Sequence, residues 1–339
     1  MILDIPLLLI GIAVAWLTLR DVFETVVVPG GGSASLQVTR RVGAILLIVW
    51  KRVRGRRRGI SGTFAPLVLV SSFVIWMSLL ALAFGLMVFA ARGHFHPPIR
   101  TFGDSVYLAG SALATVGLSP HLPVGTGRWI ILAAGFCGLA VMTMAVTYLL
   151  EVQSSIARRD TGIIKLNTSA GEPPSAVTLL ERFAEIRNQV DLANDLKEGR
   201  NWCATVRQSH AAHPSLVYFQ SISTGAGWPA ALGALLDLAL FAEFCLDDDA
   251  LHGPAVLLRE EGTRMADEIA TLAGLERKPG TADEPELAQA ARRLADCGYR
   301  LRDKPDFAEM AKIRAGYQGC VDAIAEHLGK PPAVLMRPR

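Results

Sequence analysis

The residues best suited to handling a charged solute lie in one short stretch. Asp104 opens an eleven-residue, helix-compatible run ending at Ala114, Tyr107 stands one turn in, and Thr115-Val116-Gly117-Leu118-Ser119 follows at once. Thr115 offers both a hydroxyl and a carbonyl oxygen, Val116 stiffens an extended backbone, and Gly117 permits angles that a side chain resists. Asp104 places a carboxylate at the positive end of a helix dipole. No nucleophile, general base or metal-ligand cluster accompanies them. The set suits transient coordination of a cation by backbone and hydroxyl oxygens, and it argues against an enzyme.

Eleven helical residues reach only about 16 Å, too short to cross a bilayer core. They fit a helix that enters partway and turns back. Irregular backbone at such depth is tolerated only where it lines a water-filled path. Two stretches without Asp, Glu, Lys, Arg or His frame it: 28 residues from Phe64 to Ala91 and 22 from Trp129 to Leu150. Each is long enough to span. A shorter apolar run, Ile5 to Leu19, has no basic residue before it and Arg20 after it, so it reads as a retained membrane helix and not a signal peptide.

Nine Lys/Arg lie between Arg20 and Arg58, six of them in Lys51–Arg58, against three between Arg92 and Arg128. The positive-inside rule puts the 20–60 segment and everything after 152 in the cytoplasm, with the N-terminus outside. Val42–Trp50 is apolar at helical spacing and basic at both ends, which suits an interfacial helix and contact of Lys51–Arg58 with anionic lipid. Pro29-Gly-Gly-Gly-Ser33 is a break before it.

With that frame, the segment resembles the pore-loop potassium channel superfamily, whose signature is an aspartate-led pore helix ending in Thr-Val-Gly-Tyr-Gly-Asp. Asp104, Tyr107, Leu113, Thr115, Val116 and Gly117 match it, while Leu118, Ser119 and Pro120 depart. The resemblance covers about residues 64–152. It implies an outer helix at 64–91, a pore helix at 104–114, a filter strand at 115–119 and an inner helix at 129–150. It further implies a homotetramer around a central path, with potassium or sodium as the permeant ion and no cofactor or bound metal. Trk- and Ktr-type transporters are similar in keeping a single filter glycine. Without the second glycine, an unselective cation pore stays open as an alternative, as does a membrane-anchored scaffold or signalling protein with a non-conducting loop.

On the inner helix, Gly135, Leu139, Thr143, Thr147 and Glu151 recur every four residues. Thr143, Thr147 and Glu151 suit a wetted lining, with Glu151 as a cation-attracting ring. Gly135 and Gly138 are candidate hinges, and close helix packing is the competing reading of both. His94, His96 and His121 read as a solvated outer loop.

Only 19% of the 339 residues are charged, and the mean hydropathy is +0.34, which excludes disorder and an ordinary soluble enzyme. The net charge of +3 hides an asymmetry: 12 Lys/Arg and 5 Asp/Glu in 1–157, but 22 and 26 in 158–339. The expected organisation is an N-terminal helix and basic interfacial helix (1–60), the pore unit (61–157), a linker (158–174) and a helical cytosolic domain (175–330). The tail has helical patterns at 175–198, 200–222, 228–246, 251–275, 284–302 and 305–328, with a break at Gly199. Pro229–Leu246 is apolar enough to be mistaken for a span, but Asp237 and Glu243 favour a buried core helix. The tail has no glycine-rich nucleotide motif, so its regulatory ligand stays unread, and nucleic acid is not expected as a partner. Arg207, His210 and His213 read as scattered polar residues, and the five cysteines as reduced packing residues. The expectation is an all-α membrane protein of a bacterial-type inner membrane, with three transmembrane helices, a re-entrant pore helix and filter between the last two, and an all-α cytosolic domain.

Overall fold

The computed structural model describes residues 4–27, 41, 64–219, 221, 225–276, 280–281 and 283–337. The expected interfacial helix at Val42–Trp50, the break at Pro29–Ser33 and the lipid-facing Lys51–Arg58 lie outside the described residues. Among the described residues the architecture is all-α apart from one two-stranded ribbon and an isolated bridge between Leu246 and Leu301, and the chain divides into two units, Met1–Val152 and Gln153–Arg339.

In the first unit, helix α1 (Ile5–Val26) is capped by Asp4, whose carboxylate accepts from the Leu7 amide, with proline in the first turn where no donor is needed. Helix α2 (Phe64–Ala90) is about 40 Å long, enough to span with tilt. The two run antiparallel: the Asp4 amide donates to the Ala90 carbonyl, and a Cβ at Gly11 would lie 2.7 Å from the Ala83 carbonyl. Toward the other end of α1, the buried Asp21 accepts a hydrogen bond from Trp76 Nε1 at 2.8 Å. Lipid offers such a carboxylate nothing, so it must find a donor on a neighbouring helix.

Helix α3 (Phe102–Leu113) packs on α2, where a Cβ at Gly85 would lie 2.7 Å from Val106. The ribbon pairs β1 (Phe95–His96) with β2 (Leu122–Pro123), bringing Phe95 opposite Pro123. Phe95 and Ile99 enter the same apolar core as Trp76, Leu80, Leu108 and Leu113. Helix α4 (Thr126–Ala170) is continuous for 45 residues. The linker expected at 158–174 is therefore helical as far as Ala170, because no proline or helix-ending glycine occurs before Gly171, which takes φ +77°.

The second unit is built around one helix. Helices α5 (Ala176–Glu185), α6 (Leu192–Ala212), α7 (Gly227–Phe244), α8 (Asp249–Leu272), α9 (Glu284–Asp296) and α10 (Phe307–Leu328) follow. Every residue of α7 from Gly227 to Glu243 is buried, and α5, α6, α8 and α10 pack against it. Four described helices are long and apolar enough to cross a membrane, α7 among them, but 94% of its window is buried inside the protein. Asp237 on α7 accepts two hydrogen bonds from Arg314 at 2.9 and 3.2 Å and one from Tyr317 at 2.7 Å. Glu243 is gripped bidentately by Arg259 at 2.6 and 3.0 Å. Such charges are held by protein and not by lipid. A C-terminal strap completes the core: Ala333 and Leu335 are buried, Ser175 Oγ donates to the Leu335 carbonyl at 2.7 Å, and Arg293 ties Glu181 to the Arg337 carbonyl.

Two expected boundaries move. The break at Gly199 is absent: Gly199 lies inside α6, where a Cβ would stand 2.9 Å from Leu235, so the glycine serves close packing. The real break falls at 186–191, where Arg187 takes φ +56° and a 3-10 turn leads into α6.

Candidate functional site

The site begins with how α3 starts. Thr101 caps it, accepting from the Asp104 amide at 3.1 Å while its hydroxyl donates to the Asp104 carboxylate at 2.7 Å. Asp104 is thus fixed at the helix start, where the dipole favours its charge. The Thr-x-x-Asp spacing is the capping signal that the sequence carries for this start.

The far end of α3 decides the geometry of the following residues. The Thr115 amide donates to the Ala112 carbonyl at 3.0 Å, and those of Val116 and Gly117 to the Ser111 carbonyl at 2.9 and 3.2 Å. The first two bonds form a Schellman motif, with Thr115 at the left-handed position that glycine usually takes. Its φ is +57°, and that of Gly117 is +71°. The strand expected at 115–119 is therefore not formed; the helix end captures the amides and curls the backbone. Positive φ at 115 and 117, and not at 116, turns successive amides to one side, as in the anion-binding concavities of loops. Here the Ser111 carbonyl fills that role. No donor reaches the carbonyls of Thr115, Val116, Gly117 or Leu118 among the described residues.

No atom lies within 4 Å of a Cβ built on Gly117, so backbone angle and not space calls for glycine. Val116 and Leu118 are 58% and 61% exposed, and Tyr107 is exposed on α3. Ser119 closes the segment: its hydroxyl donates to the His121 carbonyl at 3.2 Å and accepts from the His121 amide at 2.9 Å. The Pro97 carbonyl accepts from His121 Nδ1 at 2.6 Å, tying the exit of the loop to its entry beside the ribbon. His94, His96 and His121 compose no metal cluster among the described residues.

On α4, Gly138 packs against the end of α3: a Cβ there would lie 2.0 Å from the Leu113 carbonyl. At Gly135 the corresponding distance to the Ala112 carbonyl is 3.8 Å. The helix runs straight through both candidate hinges as regular α-structure. Thr143, Thr147 and Glu151 are exposed, and the two hydroxyls donate to the Leu139 and Thr143 carbonyls at 2.8 and 3.0 Å. In the second unit Arg207 turns to Glu261 and Glu268, at 2.7 and 3.0 Å, whereas His210 is buried beside the Trp228 ring, so these two form no common site.

Comparison with known proteins bears on this arrangement. Residues 67–154 match a family model described as ion channel, a range that takes in α2, α3, the loop and the first part of α4. Residues 67–154 are a pore-loop ion-channel module. This ion-channel module is similar to Protein LctB of Geobacillus stearothermophilus, 36% identical over 86 residues, which cover 22% of this chain and 64% of that protein. The chain thus spans somewhat less than two thirds of that relative's length. No solved structure matches the chain. Helix α1 and the second unit beyond residue 154 lie outside the channel match.

Proposed function

We propose that the module conducts monovalent cations, potassium in preference to sodium, along the carbonyls of residues 115–119. The observation that carries this reading is the one-sided loop: amides of Val116 and Gly117 held by the Ser111 carbonyl, with unengaged carbonyls beyond. A dehydrating cation needs a ring of such oxygens, and the negative end of the α3 dipole lies beside them. One chain supplies one loop, so a closed path needs several copies, and four is the number adopted here. The apolar side chains left exposed on Tyr107, Val116, Leu118 and Phe136 support subunit contact, since lipid and neighbouring copies are the solvents available to them. Thr143, Thr147 and Glu151 line the inner path, and Gly135 or Gly138 bends α4 in gating. No cofactor takes part, and no reaction is catalysed.

The distribution of Lys and Arg supports an N-terminus outside, a cytoplasmic second unit and placement in a bacterial-type inner membrane, with Lys51–Arg58 against anionic lipid. The test is potassium and sodium flux from liposomes holding the purified protein. Flux with potassium preferred is expected, and Gly117→Ala should abolish it with the oligomer intact, because alanine is strained at φ +71°. Equal potassium and sodium flux makes the pore unselective, in keeping with Leu118, Ser119 and Pro120. No flux leaves a membrane-anchored scaffold, and an unchanged Gly117→Ala current puts the ion path elsewhere.

A further inference from the structure

The second unit contains a cleft of about 610 Å³ that the channel reading does not use. That is the size of a small-molecule site. Its floor is apolar, formed by Leu166, Leu179, Phe183, Leu235 and Leu238. One wall is the later part of α4, including Arg158, Gly162 and Lys165. Opposite stands α6, which contributes Asp195, Glu198 and Trp202 at i, i+3 and i+7, a single helix face. Gly162 lets the two walls meet: a Cβ there would lie 2.0 Å from Trp202 Cδ1. The indole is fixed by its Nε1–H, which donates to the Arg159 carbonyl at 3.0 Å.

Two basic and two acidic side chains line the cleft, so the charge it favours is set by which of them are already engaged. Lys165 lies 3.6 Å from Glu198, and Arg158 reaches the Ser155 hydroxyl at 3.5 Å. Asp195 makes no hydrogen bond or ion pair among the described residues; its carboxyl pKa is raised by burial first, then by Glu198 and Asp191, with the Lys165 charge opposing only in part. A half-buried carboxylate beside like charges is stabilised by an arriving positive group. Tryptophan is also the aromatic ring that attracts cations most strongly.

We propose that this cleft binds an organic cation with an apolar body, its charged group held by Asp195, Glu198 and the Trp202 ring and its body on the leucine floor. The inference rests on the second unit alone and stands whether or not the first conducts. The test uses the full chain in nanodiscs, titrated calorimetrically with phenylbutylammonium and, as the charge-reversed counterpart, phenylbutyrate. The ammonium should bind with a Kd of about 1 mM or tighter, and the carboxylate at least about tenfold more weakly. Asp195→Asn and Glu198→Gln should each weaken ammonium binding by about fivefold or more, with the unfolding temperature retained, since neither removes a buried contact. Equal affinity for the two probes, no binding of the ammonium, or ammonium binding unchanged in both variants would overturn the proposal.

Discussion

Helices α2 and α7 are both apolar enough to cross a bilayer, yet 33% of the α2 window is buried inside the protein against 94% of the α7 window. Their buried carboxylates differ in the same sense. Asp237, on α7 itself, accepts from a guanidinium and a phenol, whereas Asp21 accepts from the Trp76 indole of α2. Protein can surround a full charge with a matched countercharge. A helix bordered by lipid has one or two neighbours to draw on, so α2 carries no charge at all and α1 keeps Asp21 where Trp76 can reach it. Apolar length therefore says that a helix avoids water, and the charges on it say which solvent replaces water.

That contrast can be broken experimentally, most severely at Arg314. Arg314→Leu strands Asp237 and should lower the stability of the second unit by about 3–5 kcal/mol, read by hydrogen exchange of the α7 amides. Asp237→Leu combined with Arg314→Leu should restore most of it; a double variant as weak as the single one would mean the pair is not the reason α7 tolerates burial.

Acid should separate the two regions next. Burial, and then the Arg159 charge, push His210 down to about 4. The folded state thus favours the neutral ring. Stability is intact above pH 6.5, the unfolded value, and is lost as pH falls from there toward 4, by about 3 kcal/mol in total. His210→Phe should flatten urea-unfolding midpoints of the second unit across that range. A slope that survives the substitution assigns the acid sensitivity to another group.

Within the first unit, close approach replaces charge as the vulnerable contact. Gly138→Ala should cost about 1–3 kcal/mol in bicelle unfolding, because its Cβ meets the Leu113 carbonyl, while Gly135→Ala should be nearly silent. Equal costs would contradict the packing role of Gly138. A loss comparable to that of Gly138→Ala is expected for Trp76→Phe, about 1.5–2 kcal/mol for the lost bond to Asp21. A loss as large as that of Arg314→Leu would erase the distinction between the two carboxylates.

Hydropathy made the spanning helices legible because lipid imposes one rule along a whole helix, and Asp237 with Glu243 marked α7 as the exception. The pore helix was legible from its aspartate, its length and the segment that follows. What pattern could not supply were contacts between distant residues and helix-end geometry. Gly199 looks like a breaker until Leu235 is seen against it, and Arg187 carries no breaker signal although the chain turns there. Thr115 has the residue type of a filter and the backbone of a helix cap. The partners of Asp21 and Asp237 lie 55 and 77 residues away in sequence, beyond any local reading.

The C-terminal strap has a consequence in time. Ser175 waits for Leu335, a partner 160 residues later in the chain. At typical rates of synthesis that interval lasts roughly 8–30 s. In the later part of it α7, by then made, lacks the cover of Ala333 and Leu335, while the earlier membrane helices have their own solvent at hand. The apolar helix meant for protein is thus the one most exposed, during its birth, to being taken up by the bilayer or by a chaperone.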